Sequence, residues 1–279
     1  MAVIFALASA LCYGVSDYLA GATSRTWDPR VVTAVTQLIG LATAVVAVLL
    51  FPGDGPARAP ILWGALSGFG SAVGVLALYQ GLAVGSMNVV APLCGVVTCV
   101  IPAVIGILLG NRLTAVELAG IALAVPAVVL VSRQQSSASG PRRTGGAPLG
   151  LLAGAGFGLL FVALDQAGTR HGAWPLLPGQ AVCLLLVLPF ALRGLPAAAV
   201  PGARTLVTTA VAGILSGGAN LLYLVATRYG KLAIVGVLSS LYPAGTVLIA
   251  RFRLSERWSR TQVTGMIAAL LAVVFVVIG

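Results

Sequence analysis

Ten apolar stretches occupy this chain of 279 residues almost from end to end, five on each side of one polar segment, Arg133–Gly146. A helix needs about 20 residues to cross a hydrocarbon core that is about 30 Å thick. The stretches predict membrane-spanning helices at 1–21, 31–51, 61–84, 88–110, 115–132, 148–168, 176–193, 206–227, 232–250 and 262–279. The sequence therefore predicts an all-α polytopic membrane protein with ten transmembrane helices.

Composition supports a membrane protein and argues against other partners. Hydrophobic residues make up 59% of the chain and charged residues 8%, whereas about a quarter of the residues in a soluble domain are charged. The net charge of +10 comes from basic residues scattered over the loops, where they anchor helix ends to lipid headgroups. We therefore expect the lipid bilayer as a partner and no nucleic acid.

Residues for catalysis or metal binding are scarce. His171 is the only histidine, so the sequence can supply neither a Ser/His/Asp triad nor a histidine-rich metal site. The four cysteines lie inside apolar stretches without a CxxC pair, which favours a role as small buried residues. We expect that the protein is not an enzyme and needs neither a cofactor nor a metal.

The two halves of the chain repeat one another. Sliding the first half along the second aligns Ser71 with Ser216, Gly85 with Gly230, Arg112 with Arg257, and Gly120 with Gly265. Five crossings are an odd number, so the second copy must enter the membrane from the opposite side, as in an inverted-topology repeat. We predict a first five-helix repeat at 1–132, a polar connector at 133–147 and a second repeat at 148–279; a chance match is the alternative.

Short motifs in both halves resemble a known family. The first half contains Tyr79-Gln-Gly-Leu-Ala-Val-Gly-Ser, Pro92 and Leu109-Gly-Asn-Arg-Leu-Thr, and the second contains Ser239-Ser-Leu-Tyr-Pro243 and Leu254-Ser-Glu256-Arg257. The pattern resembles the EamA-type repeat of the drug/metabolite transporter superfamily, one repeat per half, although Asn111 and Ser255 depart from it. The resemblance implies ten spans, a central cavity between the halves and transport by alternating access.

Asp17 is the acidic residue placed deepest in an apolar stretch, where an ionised side chain is costly unless it has a partner or a function. Tyr13 lies one turn earlier on the same helix face. Asp17 could bind a substrate amine or carry a proton; alternatively, it lies near the membrane surface and pairs with Arg25 or caps a neighbouring helix. Asp165, at a comparable place in the sixth stretch, is the second candidate for proton coupling, unless the helix is already ending there.

Polar residues in the third and eighth stretches complete the predicted site. Asn220 and Tyr223 are three residues apart and so share a helix face, while Tyr79 and Gln80 lie toward the end of the third stretch. The resemblance implies that these two helices border the cavity; the alternative is interhelical hydrogen bonding, which is common in membrane bundles. The predicted substrate-binding residues are Tyr13, Asp17, Tyr79, Gln80, Asn220 and Tyr223.

Glycine and proline predict how the helices pack and bend. Pro92, Pro102 and Pro243 each remove a backbone donor and crowd the preceding turn. Gly64 and Gly68 have the small-xxx-small spacing that brings two membrane helices close together. We expect bends at the prolines and close packing at the glycines.

These observations predict a secondary transporter that moves a small metabolite, amino-acid-like or amphipathic compound outward across the cytoplasmic membrane. The sequence has no GK[ST] triplet, so ATP is not the expected direct energy source. A lipid-linked substrate flippase of the same superfamily and a non-transporting membrane scaffold or receptor are the alternatives. Whether the protein forms a homodimer is left open. The orientation of the chain in the membrane is also left open, because basic residues are more numerous in the loops opposite the termini, whereas the resemblance implies cytoplasmic termini.

Overall fold

The structure is a computed structural model that describes residues 1–84, 87–132, 146–194, 201–245 and 259–279. Most of the predicted connector and the motif at Leu254–Arg257 lie outside these ranges. The described helices are α1 (Ala2–Thr23), α2 (Pro29–Leu50), α3 (Arg58–Val84), α4 (Met87–Leu108), α5 (Ala115–Ser132), α6 (Ala147–Gln166), α7 (Leu176–Gly194), α8 (Ala203–Thr227), α9 (Leu232–Ser239) and α10 (Arg260–Ile278).

Helix lengths confirm an all-α multi-pass membrane protein. Within the described ranges, nine helices are long and apolar enough to cross a membrane, and α9 is shorter. Four helices begin two or three residues earlier than their apolar stretches predict, at or next to Arg30, Arg58, Arg204 and Arg260. Long basic side chains can extend from a helix end to the headgroups, so hydropathy alone places these starts too late.

The predicted ninth span, 232–250, is not one continuous helix. The α9 helix ends at Ser239, a turn follows, and helical backbone resumes at Tyr242. Pro243 explains the break, because it donates no N–H and its ring would clash with the carbonyl of Ser239 four residues earlier. In contrast, α4 runs through both Pro92 and Pro102 without ending.

Helix packing is symmetric between the two halves. The α1 helix packs against α8 as α6 packs against α3, and α2 packs against α8 as α7 packs against α3. Three further contacts join a helix to its own counterpart: α2 with α7, α4 with α9, and α5 with α10. Exchanging the halves leaves this pattern unchanged, so the two five-helix repeats are related by an approximate twofold axis.

Loop contacts show that the second repeat is inverted. The loop between α6 and α7 binds the loop between α2 and α3, with Ala173 N donating to Phe51 O at 2.9 Å and Asp54 N donating to Arg170 O at 3.1 Å. Two crossings return the chain to the face where α1 begins, here called the termini face. Since α6 ends at the termini face and α1 begins there, the two repeats run in opposite directions across the membrane.

Contacts join the two halves at the termini face. Lys231 Nζ lies 2.8 Å from Glu117 Oε1, and the Asn111 side-chain oxygen accepts a hydrogen bond of 3.1 Å from Ala233 N in the first turn of α9. The rings of Phe5 and Tyr229 stack with their centroids 6.0 Å apart. These contacts hold the two repeats together at this end.

Close packing at Gly64 and Gly68 is confirmed. A Cβ added at Gly64 would lie 2.1 Å from Pro175 O, and one added at Gly68 would lie 2.0 Å from Gly179 O. Both distances are far below a van der Waals contact, so α3 and α7 approach each other more closely than any side chain would allow. The small-xxx-small spacing of α3 therefore serves this helix pair.

Candidate functional site

The Asp17 carboxylate has neighbours from both repeats. Its side chain is exposed, yet it lies within electrostatic range of residues on α1, α3, α4 and the segment after α9, namely Tyr13, Tyr79, Cys94 and Tyr242. Asp17 and these neighbours, to which both repeats contribute, are here called the Asp17 cluster.

Asp17 has no basic partner in the described part of the chain. The ion pairs there join Arg170 to Asp54 at 2.5 Å and Lys231 to Glu117 at 2.8 Å. The alternative in which Asp17 pairs with Arg25 is therefore wrong for this conformation. A carboxylate within a membrane helix is normally neutralised by a partner. A cationic ligand or a proton could therefore neutralise the Asp17 carboxylate.

Aromatic rings belong to the same cluster as this carboxylate. The Tyr13 ring lies edge-on to Tyr242, with centroids 6.4 Å apart, and edge-on to Phe161 at 6.1 Å. Tyr79 lies beside Thr33 on α2, and Tyr242 lies beside Cys94 on α4. Aromatic faces attract cations through their quadrupole, so the rings and the carboxylate favour the same sign of ligand charge.

Asn220 connects the Asp17 cluster to α8 through Tyr13. The Tyr13 hydroxyl donates to Asn220 Oδ1 at 2.7 Å, and Asn220 Nδ2 donates to Ser216 O at 3.1 Å. Asn220 is half-buried. The predicted residues Tyr13 and Asn220 thus lie together, although they are far apart in the sequence, because α1 packs along α8.

Tyr223 is bound entirely within the protein. It is fully buried, its ring stacks on Phe161 with centroids 4.5 Å apart, and its hydroxyl donates to Phe161 O at 3.0 Å. In this conformation the hydroxyl of Tyr223 has no capacity left as a donor. Its predicted role in substrate binding stays a prediction, and its contacts are those of a residue that holds α8 against α6.

No hydrogen bond or ion pair within the described ranges links Gln80 or Asp165 to Asp17. Gln80 is exposed near the end of α3 and forms no hydrogen bond within the described ranges. Asp165 is half-buried in the last turn of α6, near the termini face, and accepts a hydrogen bond of 3.0 Å from Gln166 Nε2. The two carboxylates considered for proton coupling therefore lie toward opposite faces of the membrane.

Sequence reasoning missed Tyr242, Cys94 and Thr33 as neighbours of the predicted site. The signal for Tyr242 was present, since it directly precedes Pro243, and a proline-induced break turns side chains away from a regular helix face. Cys94 was interpreted as a small buried residue, and it is buried. Nothing in the sequence indicates that its sulfur meets Tyr242.

Comparisons with known proteins agree with this architecture. No curated protein matches the chain, whereas 29 chains of solved structures do. One crystal structure superposes with a TM-score of 0.77 at 19% sequence identity, covering 99% of this chain and 96% of the other; at that identity the likeness establishes the fold. A family model described as the EamA-like transporter family matches residues 1–133 and 144–278. Because the match includes both repeats and nearly the whole chain, this protein belongs to the EamA-like transporter family.

Proposed function

We propose that this transporter exports a small amphipathic or amino-acid-like compound that carries an amine, across the cytoplasmic membrane. The observation that carries the proposal is the Asp17 carboxylate, which is exposed, has tyrosines of both repeats within electrostatic range, and is not paired with any basic residue in the described ranges. A protonated amine would supply the missing charge. Apolar walls of the space between the repeats would accept the rest of the molecule.

Alternating access follows from the inverted repeats. The two repeats are joined at the termini face by the Glu117–Lys231 ion pair and the cap that Asn111 provides for α9. In a protein with inverted repeats, the two halves can exchange conformations, which closes one face and opens the other around a fixed site. The ligand at Asp17 would then be released on the opposite face of the membrane from the one it entered.

A gradient is the proposed energy source. One carboxylate can be neutralised by a proton or by a substrate amine, and binding of either disfavours the other. A proton taken up at Asp17 on one face would displace the amine there, which couples proton entry to substrate exit. Asp17 would thereby serve both as binding group and as proton carrier.

Transport in lipid vesicles tests the proposal. Purified full-length protein is reconstituted with and without a pH gradient, and uptake is measured for cationic amines, zwitterionic amino acids and neutral analogues. We expect gradient-driven movement of amines that Asp17→Asn abolishes, with neutral analogues unaffected. Movement of labelled lipid-linked sugars instead would favour a flippase, and no movement of any compound would contradict transport.

A further inference from the structure

A polar cavity lies between α3, α6, α7 and α8. About 20 Å³ of it is open to water, enough for one water-sized group. Its walls are formed by Ser67, Gly68, Ser71, Leu160, Leu164, Leu176, Gly179, Gln180 and Asn220. No charged side chain lines it, so it differs in chemistry from the Asp17 cluster.

Gln180 is the most informative residue of this cavity. Its side chain is only 7% exposed, and its amide forms no hydrogen bond with any residue in the described ranges. The amide lies beside Gly40 on α2, where an added Cβ would lie 3.0 Å from the Gln180 amide nitrogen. Gln180 also lines the cavity. A buried amide without a partner costs free energy, so its donor and acceptor remain free to form a hydrogen bond.

Other polar groups of the cavity also retain capacity. The Ser71 hydroxyl accepts a weak contact of 3.5 Å from Cys183 Sγ and can still donate its own proton. Asn220 donates one N–H to Ser216 O and keeps a second. Together with Gln180, these residues offer both donors and acceptors within the volume of a single small group.

We propose that this cavity is a subsite for one uncharged hydrogen-bonding group, a hydroxyl or a carboxamide, of the transported molecule. Asn220 joins it to the Asp17 site, because Asn220 lines the cavity and also accepts the Tyr13 hydroxyl proton. Tyr13 is one turn, about 6 Å, from Asp17 along α1. This inference rests on the proposed function in one respect: it takes the molecule that occupies the cavity to be the transported compound.

The test compares amines that differ by one hydroxyl. Binding of tyramine and phenethylamine to purified full-length protein is measured by isothermal titration calorimetry. We expect tyramine to bind about tenfold more tightly, since a polar site rejects an analogue that leaves its groups unpaired. Gln180→Leu should remove this preference by weakening tyramine alone, and Ser71→Ala should reduce it. Gln37→Leu, the counterpart on α2 that does not line the cavity, should preserve it.

Several results would overturn the subsite. Equal affinity for the two amines, absence of binding by both, or equal weakening of both by Gln180→Leu would each do so. A Gln180→Leu protein that is more stable with an unchanged preference would show that the cavity holds only a water molecule. Failure of the proposed function is distinguishable: if Asp17→Asn leaves phenethylamine binding intact while the hydroxyl preference persists, the amine site is wrong and the subsite stands.

Discussion

Two equivalent helix pairs in this transporter are held together by different chemistry. In the α1–α8 pair, the hydroxyls of Ser9 and Ser16 donate to Ala219 O and Ala212 O, each at 2.8 Å. In the α6–α3 pair, the backbones approach directly, and a Cβ added at Gly156 would lie 2.5 Å from Gly74 N and 2.6 Å from Gly70 O. Lipid provides no hydrophobic force between helices, so either hydrogen bonds or close packing must supply the attraction.

The two pairs also place their carboxylates in different surroundings. Asp17 lies on α1 and Asp165 lies in the last turn of α6. Asp17 is exposed and unpaired in the described ranges, whereas Asp165 is half-buried and bound by Gln166.

This difference teaches how a near-symmetric fold acquires one working site. The hydrogen-bonded pair carries Tyr13 and Asn220, which are hydrogen-bonded to each other. The glycine-packed contact at Gly70, Gly74 and Gly156 leaves no space for side chains where the two backbones meet. We infer that this contact acts as a rigid support, while the α1–α8 pair carries Asp17, Tyr13 and Asn220, the main groups of the chemistry.

The largest expected effect comes from adding one methyl group to the glycine-packed pair. Gly156→Ala should lower the free energy of unfolding by about 3 kcal/mol, because the new Cβ would meet backbone atoms that cannot rotate away. The measurement is the thermal unfolding midpoint of purified protein in detergent. Gly218→Ala on α8 is the matched control, since an added Cβ there has no neighbour within 4 Å. Equal midpoints for the two variants would show that α3 and α6 can separate without cost.

The next largest effect distinguishes the two carboxylates. Asp17→Asn should reduce amine transport by at least about tenfold, since a charged hydrogen bond contributes about 1.5–3 kcal/mol. Asp165→Asn should leave transport near the wild-type rate, because Asp165 is bound by Gln166 and lies toward the termini face. Initial rates of uptake into vesicles, at matched protein content, provide the comparison. An equal loss in both variants would mean that the two acids work as a symmetric pair.

The sequence predicted the all-α multi-pass fold, the two repeats and the close packing at Gly64, because hydropathy and glycine spacing are local properties of the chain. It also singled out Asp17, since a carboxylate in hydrocarbon needs an explanation wherever it points. It could not distinguish Tyr223 from Tyr79. Both occupy matching places in the repeat, yet Tyr223 is fully buried against Phe161 whereas Tyr79 is half-buried and within electrostatic range of Asp17. Helix rotation relative to distant partners decides this.

A smaller effect should follow from weakening the hydrogen-bonded pair. Ser9→Ala and Ser16→Ala should each cost about 0.6 kcal/mol, the average for interhelical hydrogen bonds in a membrane, since each carbonyl can keep its bond within α8. The double variant should show an additive loss in the thermal unfolding midpoint. Thr208→Ala is the control, because its hydroxyl bonds back to Arg204 O on its own helix. A double-variant loss as large as that of Gly156→Ala would contradict the distinction between the two pairs.

The smallest effects come from removing single tyrosine hydroxyls, and their pattern sharpens the comparison further. Tyr223→Phe should cost about 0.6 kcal/mol of stability, since Phe161 O keeps a partner within α6, and should leave amine transport unchanged. Tyr13→Phe should cost a similar amount of stability, yet it should also alter the KM for amines, because Asn220 Oδ1 loses its donor beside the cavity. Unfolding midpoints and transport KM are measured on the same preparations. Tyr223 would belong to the binding site if its phenylalanine variant changed KM as much as the Tyr13 variant does, and the assignment of α1–α8 as the chemical pair would then fail.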